Sequence, residues 1–473
     1  MKENPFREDK EEMRELLRQY THLKEGNKHS FIDEDDFERI IDHFDDKDDL
    51  TSAIEAVNFG IDQYPYSSLL QIKKADLLIA TRNYREALAL LEKVELLDRT
   101  DINLYILKTD AYLALDQQKK AAMLLEEAIG TFVGEERIEL LFELADVYDD
   151  YEEFDKVFNC LRLILEQDSV NEEALYKICF WTDFTGRNEE GIKLHQQIIE
   201  EHPFTPLAWF NLGAAYQGLK LYEKSIDAYQ YAIAIDEKFD YAYRNMGDAY
   251  LKMRKYKDAI EVLQKVLELT HPEEVIYEAI GHCYDKLKNY AQARFHYRKG
   301  SHLNPEDSHL NYKIALTYMN EFHWESAIKN LESAMRIHRS KPEYNFALAQ
   351  CYVQLGKTKE AVIHFSTFIK SRPKNIKGWK ELIKCLYNAT FYEEALEQVQ
   401  NAVRNTVNKN ILLFYKSAIY FALGKSKEAL VVLEQAMEIE SNLIKHFVEL
   451  NPALLQSQQV VEVISRYKRV KKS

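Results

Sequence analysis

Side chains that could perform covalent or metal chemistry are scattered along this chain rather than grouped. The 14 histidines show no metal-ligand spacing, although His282 and His309 fall where they could face a binding surface. The chain contains no HExxH, no GxSxG and no glycine-rich phosphate loop, and only 14 glycines in all. A calcium loop that began at Asp46 would have Leu50 in place of an oxygen ligand and Thr51 in place of glycine. These patterns predict no enzyme, no metal site and no cofactor.

The five cysteines are far apart and include no CxxC pair; they are Cys160, Cys179, Cys283, Cys351 and Cys385. Such spacing is typical of structural thiols in a reducing compartment rather than of disulfides or metal ligands. The first residues, MKENPFREDKEEMREL, lack an apolar signal core, and no run approaches the roughly 18 apolar residues of a membrane span. We therefore expect a cytoplasmic protein with no membrane contact.

Charge is divided unevenly along the chain. Residues 1–250 contain 28 Lys+Arg and 54 Asp+Glu, whereas residues 251–473 contain 34 and 24, so a net charge of −26 is followed by one of +10. Such polarity could orient a bound partner. Selection for solubility together with drift would give the same division without any function.

The elements that position these side chains recur with a period of 34 residues. Steps of 34 from Ser225 meet a small or medium residue each time, and one step of 36 is needed between Ala121 and Val157. Nine of the twelve residues in this series, which we call the small series, are alanine. The two additional residues should lie near 130–136. The series predicts twelve repeats that begin at Glu34, Ser68, Ile102, Ile138, Glu172, Pro206, Asp240, Glu274, Ser308, Pro342, Ile376 and Asn410.

Each repeat has the apolar spacing of two helices. Positions 4, 7, 8 and 11 fall on one stripe of a first helix, and positions 20, 24 and 27 on one stripe of a second. Seven of the nine prolines lie at positions 32, 33 or 1, where one repeat joins the next. No stretch alternates with a period of two, so we predict an all-α fold.

The repeat at 206–239 carries a distinctive set of large and small residues. Its positions 4, 7, 8, 11, 17, 24 and 27 are Trp209, Leu212, Gly213, Tyr216, Tyr222, Tyr229 and Ala232. This pattern resembles the tetratricopeptide repeat (TPR), and the resemblance, to long arrays of the bacterial type, covers residues 34–443. It implies a right-handed α-solenoid, or superhelix, of about twelve helix pairs. Residues 1–33 and 444–473 should then form helical caps, because the end of an array otherwise exposes an apolar face.

In the proteins that this array resembles, positions 2, 5, 9, 12 and 13 of the first helices line a concave groove that binds other proteins. Acidic residues at these positions include Asp42, Asp76, Asp110, Asp146 and Asp183. The aromatic residues there include Phe142, Tyr176, Phe180, Phe184, Phe210, Tyr241 and Tyr312, and the basic ones Arg244, Lys377, Lys380 and Lys384. We expect these residues to contact a partner. Packing between neighbouring first helices is the competing explanation for the aromatic ones.

Together these features predict a non-catalytic scaffold that holds an extended peptide or a protein with a basic or aromatic segment. A carboxylate clamp of the chaperone-binding type fits poorly, because Asp248 stands where a clamp built around Arg244 and Asn245 would need asparagine. Three alternatives stay open: an accessory subunit of an RNA-handling complex, a self-assembling structural protein, and an enzyme of unrecognised type. The net charge of −16 argues against nucleic acid as the partner. Neither the partner nor the oligomeric state follows from these patterns.

Overall fold

A computed structural model describes residues 5–25, 31–407 and 409–470 of the chain. Parts of the predicted caps at 1–33 and 444–473 therefore lie outside the described residues. Within the described ranges all regular secondary structure is helical. The chain divides into two compact parts, an N-terminal half (Met1–Ala242) and a C-terminal half (Tyr243–Ser473).

The N-terminal half contains thirteen helices among its described residues and the first residues of a fourteenth. They are α1 (Pro5–Lys24), α2 (Glu34–Asp45), α3 (Leu50–Gln63), α4 (Ser68–Ala80), α5 (Tyr84–Leu97), α6 (Ile102–Ala114), α7 (Gln118–Ile129), α8 (Gly134–Asp150), α9 (Phe154–Gln167), α10 (Glu172–Phe184), α11 (Asn188–Glu201), α12 (Pro206–Gly218), α13 (Tyr222–Ile235) and α14 (Asp240–Lys252).

The C-terminal half continues with helices of similar length, except for the seven-residue helix Ile444–Leu450, and adds two short 3₁₀ turns at Ser441–Leu443 and Pro452–Gln456. Its helices are α15 (Tyr256–Leu269), α16 (Glu274–Lys286), α17 (Tyr290–Leu303), α18 (Ser308–Asn320), α19 (Trp324–Ile337), α20 (Pro342–Gln354), α21 (Thr358–Ser371), α22 (Ile376–Asn388), α23 (Tyr392–Asn405), α24 (Asn410–Ala422), α25 (Ser426–Glu440), α26 (Ile444–Leu450) and α27 (Gln458–Val470).

Consecutive helices from α1 to α13 pack against each other, and so do those from α15 to α25, as in an α-solenoid. In the N-terminal half, α2 also contacts α4, α4 contacts α6, α6 contacts α8, and α10 contacts α12. The odd-numbered helices α3 to α13 make no contacts of similar extent with one another in the part of this half that the structure describes. The even-numbered first helices therefore line the inner side of this stack.

The helix pairs close around the small series. All twelve of its residues are buried, from Ala53 in α3 to Ala429 in α25. The glycine at position 8 is needed for the same reason, because a Cβ atom on Gly213 would lie 2.6 Å from the ring of Tyr229. Gly281 stands in the same relation to Tyr297, also at 2.6 Å. Small residues at these places let the two helices of a pair approach closely.

Every turn between the helices of a pair contains one residue in the left-handed backbone conformation. These residues have φ between 58° and 75° and are Asp48, Arg82, Asp116, Glu152, Gly186, Lys220, Arg254, Lys288, Phe322, Gly356, Thr390 and Gly424. In most of these turns the next residue donates its N–H to a carbonyl five residues back, as Asn83 does to Leu78 at 2.7 Å. This is the hydrogen-bond pattern of a Schellman helix end.

One helix differs from the predicted register. The helix α8 begins at Gly134, whereas the period of the sequence starts a repeat at Ile138. The additional residues near 130–136 therefore lengthen the first helix at its N-terminus, whereas the turn before it, 130–133, is no longer than the turn at 98–101. The grouping of the helices into twelve repeats stays a prediction.

The first and last helices that the structure describes bury apolar side chains, and their role as caps of the array stays a prediction. In α1, Leu16 and Tyr20 are buried against a core that includes Phe37 and Ile40. In α27, Val460 and Val463 are buried as well. No helix in the described ranges is both long enough and apolar enough to cross a lipid bilayer.

Candidate partner-binding surface

A row of acidic side chains follows the inner side of the N-terminal half. Asp42, Asp76, Asp110 and Asp146 occupy equivalent places on α2, α4, α6 and α8. The side chains of Asp76 and Asp110 are open to solvent, yet the surrounding protein disfavours their charged form and raises the pKa of both. Repulsion adds to this burial effect: Asp45 and Asp42 raise the pKa of Asp76, and Asp76 raises that of Asp110.

The row also includes Glu143 on α8, which the positional pattern missed because it lies at position 6 of its repeat. Burial is the largest cause of the raised pKa of Glu143, and repulsion from Asp110, Asp146 and Glu139 raises this pKa further. The available signal was the local spacing of Glu139, Glu143 and Asp146, four and three residues apart, which places them on one side of a helix. Glu143 is therefore electrostatically coupled to both of its predicted neighbours.

Among the residues that the structure describes, cations pair with the two ends of the row. The Nζ of Lys73 lies 2.6 Å from Asp42, and the Nζ of Lys177 lies 3.7 Å from Asp146. Attraction to Lys73 offsets part of the rise in the pKa of Asp76, and attraction to Lys177 offsets part of the rise in the pKa of Glu143. Across the described residues, however, no cation forms an ion pair with Asp76, Asp110 or Glu143. The middle of the row therefore offers three unpaired carboxylates.

Beyond the acidic row, one face of α10 presents aromatic rings to solvent. Tyr176, Phe180 and Phe184 are 59%, 59% and 56% exposed. They are spaced four residues apart and so lie on one side of the helix. The opposite side of α10 is buried through Leu175 and Ile178.

The other predicted aromatic residues of the N-terminal half are placed differently. Phe142 lies under the Nζ of Lys177, 4.9 Å from its ring centre. Phe210 is half-buried between Tyr229 and Phe239, with ring centres 5.7 and 5.1 Å away. Tyr241 is 57% exposed. For Phe210, therefore, the packing explanation describes the contacts better than partner binding does.

In the C-terminal half, two predicted contact residues are engaged within the protein. The guanidinium of Arg244 donates to both carboxylate oxygens of Glu273 at 2.7 Å. Tyr312 packs on Tyr344, with ring centres 5.1 Å apart. Both residues hold neighbouring elements together.

The predicted lysine triplet lies partly under a helix that the sequence pattern did not place there. The helix α26 packs against α22 and α24, and its Glu449 pairs with Lys384. Burial lowers the pKa of Lys380, and Lys384 lowers it further. Lys377 remains exposed and lies 4.8 Å from the ring centre of Phe346. Lys384 is therefore already neutralised within the protein and is not an open partner contact.

Groups that could perform other chemistry are few among the residues described. Carboxylate oxygens of Glu274, Glu278 and Asp307 lie within 4.8 Å of one another, but Lys313 already pairs with Glu278. Burial raises the pKa of the Cys160 thiol to about 12, and it has the same effect on Cys283. Such thiols are poor nucleophiles.

The fold defines a class: all-helical repeat proteins built from stacked helix pairs. A family model described as the C-terminal ARM domain of tetratricopeptide repeat protein 21 matches residues 214–346, and two models described as tetratricopeptide repeat match residues 184–238 and 342–375. The chain belongs to the tetratricopeptide-repeat superfamily. Members of this superfamily are generally non-catalytic scaffolds for protein–protein interaction.

Several solved structures are similar to this chain at low identity. The structure titled YrrB, "a TPR protein with an unusual peptide-binding site", is 17% identical over 39% of this chain and 95% of its own, with a TM-score of 0.35. The C-terminal part of a TPR protein from Cytophaga hutchinsonii is 15% identical over 54% and 99%, with a TM-score of 0.44. Cut9–Hcn1 of the APC/C is 14% identical over 88% and 96%, with a TM-score of 0.35. No curated protein matches significantly. None of these similarities is close enough to indicate a partner.

Proposed function

We propose that the chain is a non-catalytic scaffold that holds an extended, basic segment of another protein along the inner side of the N-terminal half. One observation carries the proposal: the unpaired carboxylates of Asp76, Asp110 and Glu143 lead toward the exposed rings of α10. We further propose the cytoplasm as its compartment, since a reducing environment suits five unbridged cysteines.

The electrostatics of the row favour a cationic ligand. Each carboxylate disfavours ionisation of the next one, so a partner's Lys or Arg would relieve repulsion as well as gain an ion pair. Charges of this kind chiefly raise the association rate and set the salt response. The affinity should come from the aromatic residues.

The helix spacing suggests how the basic residues of such a segment would be spaced. Packed helices lie about 8–10 Å apart, and an extended chain advances about 3.3 Å per residue. A partner that runs across α4, α6 and α8 would therefore present a basic residue at about every third position. Lys377 and Lys380 could contact acidic groups of the same or another partner in the C-terminal half, where Lys384 is already paired.

Affinity capture followed by mass spectrometry would supply the partner for the test. The combined change Asp76→Asn, Asp110→Asn and Glu143→Gln should weaken its binding about tenfold at low salt and flatten its salt dependence. Binding can be measured by surface plasmon resonance at several salt concentrations.

A matched control removes the same charge from the outer helices. Glu86, Glu92 and Glu189 lie exposed on α5 and α11, and all three can be changed to Gln. We expect this control to bind nearly as the parent does. Equal loss in both variants would mean that only net charge matters and that the inner row is not the site.

A further inference from the structure

We propose that the aromatic face of α10, formed by Tyr176, Phe180 and Phe184, together with the open cavity beside it, receives an arginine side chain of the bound segment. This inference rests on the proposed function and names the residue type that the N-terminal half recognises.

The aromatic face is both exposed and held in place. The rings of Phe180 and Phe184 are roughly parallel, with centres 5.6 Å apart and planes 23° apart. Two rings fix them from behind: Trp181 meets Phe180 edge-on at 5.0 Å, and Phe154 meets Phe184 edge-on at 4.9 Å. Trp181 itself is only 9% exposed, so its position is set by the core. A rigid, uncovered apolar surface of this kind is typical of a binding site.

A cavity of about 370 Å³ opens next to Phe184. Its lining includes Phe154 and the acidic residues Glu152, Glu153 and Asp155. The one lysine in this lining, Lys156, is bound to Glu153 at 2.5 Å and lies over the ring of Tyr148. Glu152 and Asp155 have no ion-pair partner in the described parts of the chain.

The other cations near α10 are also engaged. Lys177 pairs with Glu173 at 2.8 Å, and Arg187 pairs with Glu190 at 2.6 Å. Asp183, on α10 itself, forms no ion pair with any residue that the structure describes. Glu152, Asp155 and Asp183 therefore leave an excess of negative charge near the aromatic face, although Arg187 also attracts Asp155.

This combination selects one occupant. An anionic lipid surface or a nucleic acid would be repelled by Glu152, Asp155 and Asp183. A purely apolar segment would form no ion pair with these carboxylates. A guanidinium group is planar, stacks on ring faces and carries five N–H donors for carboxylates. An ammonium group is compact and strongly hydrated, so lysine should fit less well. Charge and ring geometry together therefore favour arginine.

The test uses the full chain and a short fluorescein-labelled peptide with arginine at every third position. Two further peptides replace each arginine with lysine or with citrulline, the uncharged isostere. Fluorescence anisotropy should give the tightest binding for arginine, weaker binding for lysine and the weakest for citrulline. Phe180→Ala and Phe184→Ala should each weaken binding of the arginine peptide about tenfold, because the stacking surface is lost.

The controls separate this site from general attraction to an acidic protein. Phe204 and Phe322 are 82% and 75% exposed and lie outside α10, so Phe204→Ala and Phe322→Ala should leave binding unchanged. None of these variants alters charge, and circular dichroism would verify that each is folded. Binding of the arginine peptide that survives Phe180→Ala and Phe184→Ala would overturn the inference, as would equal binding of the arginine and citrulline peptides.

Two outcomes distinguish this inference from the proposed function. If the captured partner needs Asp76, Asp110 and Glu143 but tolerates Phe184→Ala, the scaffold function stands and the arginine pocket is wrong. If the mass of the protein alone rises with concentration and Phe184→Ala abolishes the rise, a second copy covers this face, and the pocket does not receive a partner's arginine.

Discussion

His195, on α11, is a fully buried histidine that acts as a core side chain. It lies at the place in its repeat that Tyr229, Tyr297 and Phe365 occupy elsewhere. Neither of its ring nitrogens has a hydrogen-bonding partner among the described protein groups. Burial alone lowers its pKa from 6.5 to about 3. The folded protein therefore holds this imidazole in its neutral form.

This histidine should make the stability of the protein depend on pH. The unfolded chain takes up a proton at His195 below pH 6.5, whereas the folded chain does so only near pH 3. Above pH 6.5 the buried His195 therefore costs the folded state no stability. As the pH falls from 6.5 toward 3, it lowers the free energy of unfolding by about 1.4 kcal/mol per pH unit. His195→Leu should remove this dependence. The free energy of unfolding of the variant minus that of the parent should therefore be larger at about pH 5 than at about pH 7.

The control for this prediction is the exposed His202, which begins the turn after the same helix. His202→Leu should follow the parent at both pH values in chemical denaturation. If the two variants show the same pH dependence, His195 does not titrate as its burial implies.

At the scale of the helix pair, the left-handed turn residue is the feature that recurs most regularly. Three of the twelve are glycine, and the others include the β-branched Thr390, with φ 66°. A side chain in this conformation costs about 1–2 kcal/mol, because its Cβ approaches the backbone. The hydrogen bond from Phe391 N to Leu386 O, at 2.9 Å, helps to hold the turn despite that strain.

Thr390→Gly should therefore stabilise the protein. The relieved strain exceeds the entropy that glycine adds to the unfolded chain, which leaves a gain of about 0.5–1 kcal/mol. The reverse change, Gly356→Thr in the turn between α20 and α21, should destabilise by a similar amount, since Gly356 has φ 72°. Thermal unfolding followed by circular dichroism measures both. A loss of stability in Thr390→Gly would show that its side chain makes a favourable contact.

Elements with strict packing requirements were the ones that sequence patterns could predict. The small series is visible because only a small residue fits where two helices meet, as at Ala327 and Gly281. The turn residues were not predicted, because side chains as different as those of Asp48 and Phe322 are largely exposed and are therefore tolerated there. The period identified the fold but carried no information about these exposed places.

The candidate site was predictable only in part, for a related reason. A helical position shows which side of α4 or α10 a residue occupies, and so it indicated Asp76 and Phe180. It does not show what else reaches that side. Glu449 is 65 residues from Lys384, and their contact depends on how the chain turns after the last repeat.

At the scale of the whole molecule, the charged side chains of the two halves differ in how far they are paired within the protein. The change of sign near residue 250 falls within α14, and the boundary between the two halves along the sequence, after Ala242, falls in the same helix. In the N-terminal half, the acids at the middle of the inner row stay unpaired, whereas in the C-terminal half α26 supplies Glu449 to the lysines. The N-terminal half therefore has more charged groups that a partner could pair with. Both proposals lie there for this reason.

The repeat register has a direct test, because the units of a solenoid contact mainly their neighbours. Deletion of residues 308–341 removes α18 and α19 together, and the flanking pairs can close on each other. We expect a folded protein with the same helical content per residue by circular dichroism. Deletion of 308–323 removes α18 alone and leaves α19 without its partner.

In that shorter deletion the buried face of α19, with Ala327, Leu331 and Ala334, each 0% exposed, would face solvent. We expect lower helical content, a broadened thermal transition and binding of a dye that senses apolar surface. The longer deletion is the more conservative change although it removes about twice as many residues, because it respects the unit that buries its own apolar stripe. A shorter deletion that melts as sharply as the parent would show that the helices are not paired in the register starting at Ser308.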